Sequence, residues 1–269
     1  MCTIIAAVDV WPDSPLVIAA NRDEMLDRPA IEPRVWAAGE VAARRVLAPR
    51  DLKAGGTWLG INDAGLFVGI TNRRSSSGLL PGGRVLRSRG ELVFEALGSD
   101  THLDALARIQ GLGARDYSPF HLLLADRAGA RVVWGDGERL HEVELEPGVH
   151  WLTERSFGAG ESARHQTLTA RSAELASGPA PDVARWRSIL ADHRPHAADG
   201  AAPKPLSVGL DSMCVHARPI NYGTRSSTIV QLHAHGAAQA PVRFLYANGR
   251  PCETEFADYR DAVAQLVAV

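Results

Sequence analysis

Cysteine and lysine are both scarce. The 269-residue chain holds three cysteines, Cys2, Cys214 and Cys252, and two lysines, Lys53 and Lys204. Three cysteines this widely scattered build neither a disulfide framework nor a zinc cluster by spacing, so no metal site is expected. An excess of one charge is also lacking. With 29 basic and 31 acidic residues the formal net charge is -2, without the electrostatic footprint of a nucleic-acid binder. No apolar run approaches the roughly 18 residues of a membrane span. Met1 to Ile5 show neither a basic region nor a small-residue cleavage site, which reads as a cytoplasmic chain without a secretory signal. A glycine-rich phosphate loop is missing, which counts against nucleotide chemistry. Nor is there a repeat, a coiled coil or a charged tail to suggest a scaffold. The expected partner is a small-molecule substrate or ligand, and nothing specifies an oligomeric state.

Hydrophobic residues make up 45% of the chain and charged residues 22%, enough for a sizeable core in one domain over 1–269. Thr3 to Val8 and Leu16 to Ala20 read as strands flanking the turn-forming run Trp11-Pro12-Asp13-Ser14-Pro15. Residues 28 to 56, rich in Pro, Gly and Arg, read as irregular with one strand near Val35. Thr57 to Ile61 and Leu66 to Thr71 flank Asn62-Asp63-Ala64-Gly65, a hairpin turn. A surface loop follows at Ser75 to Gly83. Helical spacing then covers Val85 to Leu97 and Leu103 to Ile109. Tyr117 to Ala125 and Arg131 to Trp134 form a second hairpin, with strands at His141 to Leu145 and His150 to Leu152. Helices are expected over Ser162 to Ala176 and Pro181 to Ala191, and a loop at His193 to Pro205 whose His193 and His196 are solvated. Cys214 to Ala217, Ser227 to His235 and Val242 to Tyr246 read as strands. Phe256, Tyr259, Val263 and Leu266 mark a closing amphipathic helix. Short turns between neighbouring strands imply antiparallel sheets.

Five places carry candidate chemistry. Initiator methionine is normally removed before a small residue, which would make Cys2 the N-terminus. Its α-amine, with an unperturbed pKa of about 7.7–8.0, could then take the thiol proton, placing nucleophile and base on one residue. The plainer reading is a small buried residue opening a strand. Asn21-Arg22-Asp23-Glu24 ends the second strand, either as a solvated turn or, by antiparallel pairing, beside Cys2. There Arg22 would lower the thiol pKa and Asp23 would hold the α-amine. Asn72 and Arg73 close the hairpin strand and would offer an oxyanion donor and an anion site. Arg225, in Tyr222-Gly223-Thr224-Arg225, is a further active-site cation or a surface partner of an acidic residue. His233 and His235 share a strand face; metal ligation competes there with a merely polar face.

Together these blocks resemble the transport and Golgi organisation 2 family, also called the NRDE family. The resemblance runs through Met1-Cys2-Thr3, Asn21-Arg22-Asp23-Glu24, Arg28-Pro29, Asp51, Gly55-Gly56-Thr57-Trp58-Leu59-Gly60, Gly65-Leu66, Thr71-Asn72-Arg73 and Tyr222-Gly223-Thr224-Arg225-Ser226-Ser227. It implies an α+β fold, the four-layer αββα sandwich of two antiparallel sheets found in N-terminal-nucleophile hydrolases. It also implies catalytic roles for Cys2, Arg22, Asp23, Asn72 and Arg225, with Asn21, Arg73 and Glu154 lining the substrate site. Two departures stand out. Arg22 and Asp23 are adjacent where the hydrolase branch separates them by two residues. Glu154, after Leu152-Thr153, stands where that branch has an amide donor, whose loss costs on the order of a hundredfold in rate. The resemblance thus leaves two expectations. One is an amidohydrolase or acyltransferase with Cys2 as nucleophile, acting without a cofactor on a small, anionic substrate. The other is a non-enzymatic binding or trafficking protein for haem or acyl-CoA in the same cavity.

Overall fold

Residues 2–74, 86–159, 169, 171–194, 210, 212–234, 236 and 241–268 are described by the computed structural model. The loop expected at Ser75 to Gly83, together with His196 and His235, falls outside them. Elements are numbered in chain order. The backbone divides into two compact units, Met1–Arg28 with Pro147–Tyr259 and Pro29–Glu146 with Arg260–Val269. Each unit is built on one seven-stranded antiparallel sheet.

The first unit holds β1 (Cys2–Trp11), β2 (Ser14–Met25), β10 (Gly148–Leu152), β11 (His216–Ala217), β12 (Tyr222–Leu232), β13 (Val242–Ala247) and β14 (Ala257–Asp258). Their spatial order is β10-β1-β2-β12-β13-β14, with β11 also paired to β12. The continuous apolar runs of β1 and β2 are explained by burial of successive residues, Ile4 through Val8 and Leu16 through Ala20. A strand buried on both faces has no need of polar alternation. One face carries Ile5, Ala7, Val17, Ala19, Ile229 and Leu245. These pack with Trp151 and with Leu175, Trp186 and Leu190 of α3 (Ser172–Ala176) and α4 (Val183–Leu190). The Asp182 side chain caps α4 by accepting from the Arg185 N–H at 2.8 Å, satisfying one otherwise unmatched first-turn donor.

The second unit orders β3 (Ala30–Trp36), β4 (Val46–Asp51), β5 (Leu59–Asn62), β6 (Phe67–Asn72), β7 (Phe120–Asp126), β8 (Gly129–Gly135) and β9 (Leu140–Leu145) in sequence. Helices α1 (Arg89–Leu97) and α2 (His102–Gln110) lie against β5 to β8, and α5 (Arg260–Val267) returns to β3 and β4. Asn62 anchors the β5–β6 turn. Its Oδ1 accepts the N–H groups of Ala64 and Leu66, each at 3.0 Å. Its Nδ2 donates to the carbonyls of Leu97 and Ser99 at 2.9 and 2.7 Å, capping carbonyls that the end of α1 leaves open.

Two corrections follow. Residues 28 to 56 are not mostly irregular; they hold the β3–β4 pair. Pro33 and Pro49 obscured it, and the ladder absorbs them at a register shift between Ile31 and Arg34, where an irregularity removes the need for their missing N–H groups. The closing helix begins only at Arg260, and Ala257–Asp258 before it forms the edge strand β14. Among the described residues no helix is long and apolar enough to cross a membrane.

Candidate active site

Strand register decides which side chains meet. In the first unit Cys2 pairs with Arg22 across β1 and β2, and Arg22 pairs with Ser226 of β12. On the other side of β1, Ile4 pairs with Leu152. β10 ends at Leu152, and the chain turns there, the Ser156 N–H donating to the Thr153 carbonyl at 3.3 Å, so that Glu154 lies in a turn beyond the ladder. Residues directly opposite share a face, so Cys2, Arg22 and Ser226 form one row, and the Asn21 side chain belongs to the reverse face. Arg22 and Asp23 are buried, at 5% and 3% exposure, which excludes the solvated-turn reading of the motif.

The Cys2 thiol is half-buried. Burial pushes its pKa up, and the Asp23 carboxylate adds to the rise. The chain-terminal ammonium, the Arg22 guanidinium and an Asp23 backbone N–H pull it down. Asp23 itself is fixed from β12. Thr224 Oγ1 donates to Asp23 Oδ1 at 2.7 Å and accepts the Val215 N–H at 2.9 Å. The Tyr222 hydroxyl donates to the Asp23 carbonyl at 2.9 Å. Burial, and then Asp23, Cys2, Glu24 and Glu154, hold that hydroxyl well above the usual phenol range. The phenol therefore stays a donor at all ordinary pH.

Other residues from the sequence reading find different surroundings. Asn21 is 1% exposed. Both its amide hydrogens are engaged by the carbonyls of Leu190 and Met213, at 2.9 and 2.8 Å, and its Oδ1 accepts from Ser227 Oγ at 2.6 Å. It staples the backbone behind the sheet, which leaves no amide hydrogen for a substrate. Arg225 sits where the β2–β12 register shifts, between Thr224 and Ser226, and donates to the Arg28 carbonyl at 3.4 Å. Glu154 lies 3.7 Å from Arg155 Nε, its side chain 15% exposed.

Asn72 and Arg73 belong to the second unit. Asn72 is the exposed last residue of β6. Arg73 Nη1 lies 2.9 Å from Nε2 of His121, whose Nδ1 is 3.2 Å from Thr71 Oγ1. A guanidinium only donates, so Nε2 accepts and His121 carries its hydrogen on Nδ1. The fully buried His121 was missed because a histidine in the apolar run Phe120–Asp126 reads as core.

The first unit also gathers residues that spacing kept apart. Cys214 Sγ lies 3.6 Å from both His216 Nε2 and Cys252 Sγ, and Cys252 Sγ lies 3.4 Å from His216 Nε2. His193 stacks edge-on against His216, ring centroids 4.7 Å apart, with Nδ1 3.3 Å from the Cys214 carbonyl. His193 is therefore not simply solvated, and two of the three scattered cysteines are neighbours. Only Cys214-x-His216, two residues apart in sequence, gave a local signal.

The family model described as Transport and Golgi organisation 2 matches residues 1–244. The Bos taurus transport and Golgi organization protein 2 homolog is 31% identical over 265 residues, spanning 88% of this chain and 90% of its own. The Homo sapiens homolog is 28% identical over 261 residues, with the same coverage. Among solved structures, two variants of the conjugated bile acid hydrolase from Clostridium perfringens superpose with TM-scores of 0.51 and 0.52. Each is 11% identical, and the match covers 97% of this chain and 93% of the other. At that identity the likeness establishes a shared fold, that of an N-terminal-nucleophile hydrolase, and nothing more. By the match over 1–244, and by its blocks from Met1-Cys2-Thr3 to Tyr222-Gly223-Thr224-Arg225, the chain belongs to the transport and Golgi organisation 2 family.

Proposed function

We propose that the protein is an N-terminal-nucleophile amidohydrolase or acyltransferase in which Cys2, freed by removal of Met1, attacks the carbonyl of a small anionic amide or acyl compound. One observation carries this reading: register sets the Cys2 side chain beside the buried Arg22, while Asp23 is held by Thr224. In the attack, the Sγ–C bond forms as the thiol proton passes to the Cys2 α-amine. The tetrahedral intermediate then expels the amine or other leaving group, which takes up that proton. Water or an acceptor nucleophile resolves the resulting thioester and regenerates the thiol. Arg22 favours the thiolate and offers charge to the substrate anion, and Asp23 orients the α-amine. Arg225 is assigned to anion binding. The fold shared with the bile acid hydrolase supports this reading.

A second reading rests on Glu154. A carboxylate where the resemblance expects an amide donor would oppose a developing oxyanion and suits a cavity that binds without turnover, with haem or acyl-CoA as ligand. The two readings part at Cys2. A panel of acyl amides and thioesters should be turned over by the protein lacking Met1 and not by Cys2→Ser. Saturable haem or acyl-CoA binding that survives Cys2→Ala, without turnover of any panel member, would favour binding.

A further inference from the structure

We propose that His193, Cys214, His216 and Cys252 form a mononuclear site for a tetrahedral, thiolate-preferring divalent cation, zinc foremost. One ligand atom from each of the four lies within 4.8 Å of the other three. The separations among Cys214, His216 and Cys252 match three edges of a tetrahedron, and His193 lies within 4.8 Å as the fourth ligand. With Zn–S about 2.3 Å and Zn–N about 2.0–2.1 Å, tetrahedral edges come to about 3.8 Å for S···S and about 3.5 Å for S···N. The structure has 3.6 Å between the sulfurs, and 3.6 and 3.4 Å from them to His216 Nε2. Both sulfurs reach the same imidazole nitrogen, which suits one ion. A two-iron cluster would hold its cysteine pair and histidine pair on different irons.

Topology explains why residues from His193 to Cys252 converge. Strands β11 and β13 pair with β12 along one edge, His216 opposite Gly223 and Ala247 opposite Ser227. The turn after β13, which carries Cys252, therefore lies beside β11. The strand expected over Cys214 to Ala217 is reduced to His216–Ala217; Cys214 lies in the bend that leads into it, and its Sγ and that of Cys252 both reach His216 Nε2. His193 follows α4, held there by the Cys214 N–H donating to the Asp192 carbonyl at 2.9 Å. A carbonyl only accepts, so the His193 contact to the Cys214 carbonyl puts the hydrogen on Nδ1 and the lone pair on Nε2. A ligand histidine commonly donates its second nitrogen to a backbone carbonyl in this way.

Binding releases two thiol protons. Two thiolates and two neutral imidazoles then balance a divalent charge. The ion would join three segments: the stretch after α4, the run into β11 and the turn after β13. Val215, between two ligands, donates its N–H to Thr224 Oγ1, which donates to Asp23. The site would thus steady the residue that flanks Cys2, without depending on Cys2 being a nucleophile.

The test uses the reduced, chelator-treated full-length protein, titrated with Zn²⁺ against a chromophoric chelator and separately with Co²⁺. Expected are one zinc per chain and, with cobalt, thiolate-to-metal charge-transfer bands with the intense visible bands of a tetrahedral ion. Thermal melting should rise with zinc. Cys252→Ser, in a half-buried turn, should weaken zinc binding by about a hundredfold or more and lose the charge-transfer bands and the thermal shift, with its circular dichroism unchanged. His193→Ala, at an exposed position, serves as the second variant should Cys252→Ser misfold. The proposal is overturned if reduced protein gives no charge-transfer band, if the variants bind zinc as tightly as the parent, or if Cys214 and Cys252 prove disulfide-linked in protein prepared with zinc present.

Discussion

At the scale of single residues, the Asn-Arg-Asp-Glu motif divides its labour between the two faces of β2. Arg22 shares the Cys2 face, whereas Asn21 turns to the backbone carbonyls behind the sheet, and Asp23 is held by Thr224 with its carboxylate still close enough to raise the Cys2 thiol pKa. Asn21→Ala removes three buried hydrogen bonds and leaves two carbonyls without that donor. It should cost about 2–4 kcal/mol, lowering the melting temperature by about 2–4 °C for each kcal/mol; an unchanged melting curve would refute the staple. Cys2 gives a pH prediction. Burial favours its neutral thiol, so in the form that keeps Met1 iodoacetamide labelling should rise with pH around a midpoint above the roughly 8.5 of a free cysteine. A midpoint below that value would mean that Arg22 and the terminal ammonium outweigh burial. Position in the chain was enough to mark Cys2 and Arg22 as candidates. The role of Asn21 was not legible, because its partners Leu190 and Met213 are 169 and 192 residues away.

Among the elements, the hairpins and helices with clear periodicity stand where their residues indicated, including the turn at Asn62 and the helices Arg89–Leu97 and His102–Gln110. The pair β3–β4 was hidden by prolines that a register shift accommodates, and the Cys/His cluster by strand pairing that no local spacing encodes. The Gly55-Gly56-Thr57 block has an element-scale cause. A Cβ on Gly56 would sit 2.4 Å from the Gly90 carbonyl carbon, where α1 begins and the Thr57 N–H donates to the Gly90 carbonyl at 3.2 Å. The Gly90 C, Cα and O atoms in the way are all backbone and cannot swing aside. Gly56→Ala should therefore destabilise by about 1–3 kcal/mol in chemical denaturation. Gly178→Ala, with nothing within 4 Å of the added carbon, should leave stability nearly unchanged; equal losses for both would refute the close-approach argument.

For the molecule as a whole, neither unit is a continuous stretch of chain. The first is completed only when residues 147–259 return to β1 and β2, and the second only when 260–269 return to β3 and β4. Pairing of this range delays folding, because chain closure precedes the contacts that reward it. Antiparallel sheets were legible from the short turns, but which strands share a sheet was not. β10 follows β9 after two residues yet pairs with β1. That crossing brings the turn that carries Glu154 to the end of β10 that pairs with Ile4 of β1, and the tension between hydrolysis and binding rests on that carboxylate. The most direct test of Cys2 as nucleophile is peptide mass mapping of untagged protein quenched during reaction with an activated acyl thioester. The account predicts an N-terminal peptide that lacks Met1 and carries a single acyl group on Cys2. Met1 retained throughout, or acylation confined to Cys214 and Cys252, would contradict it.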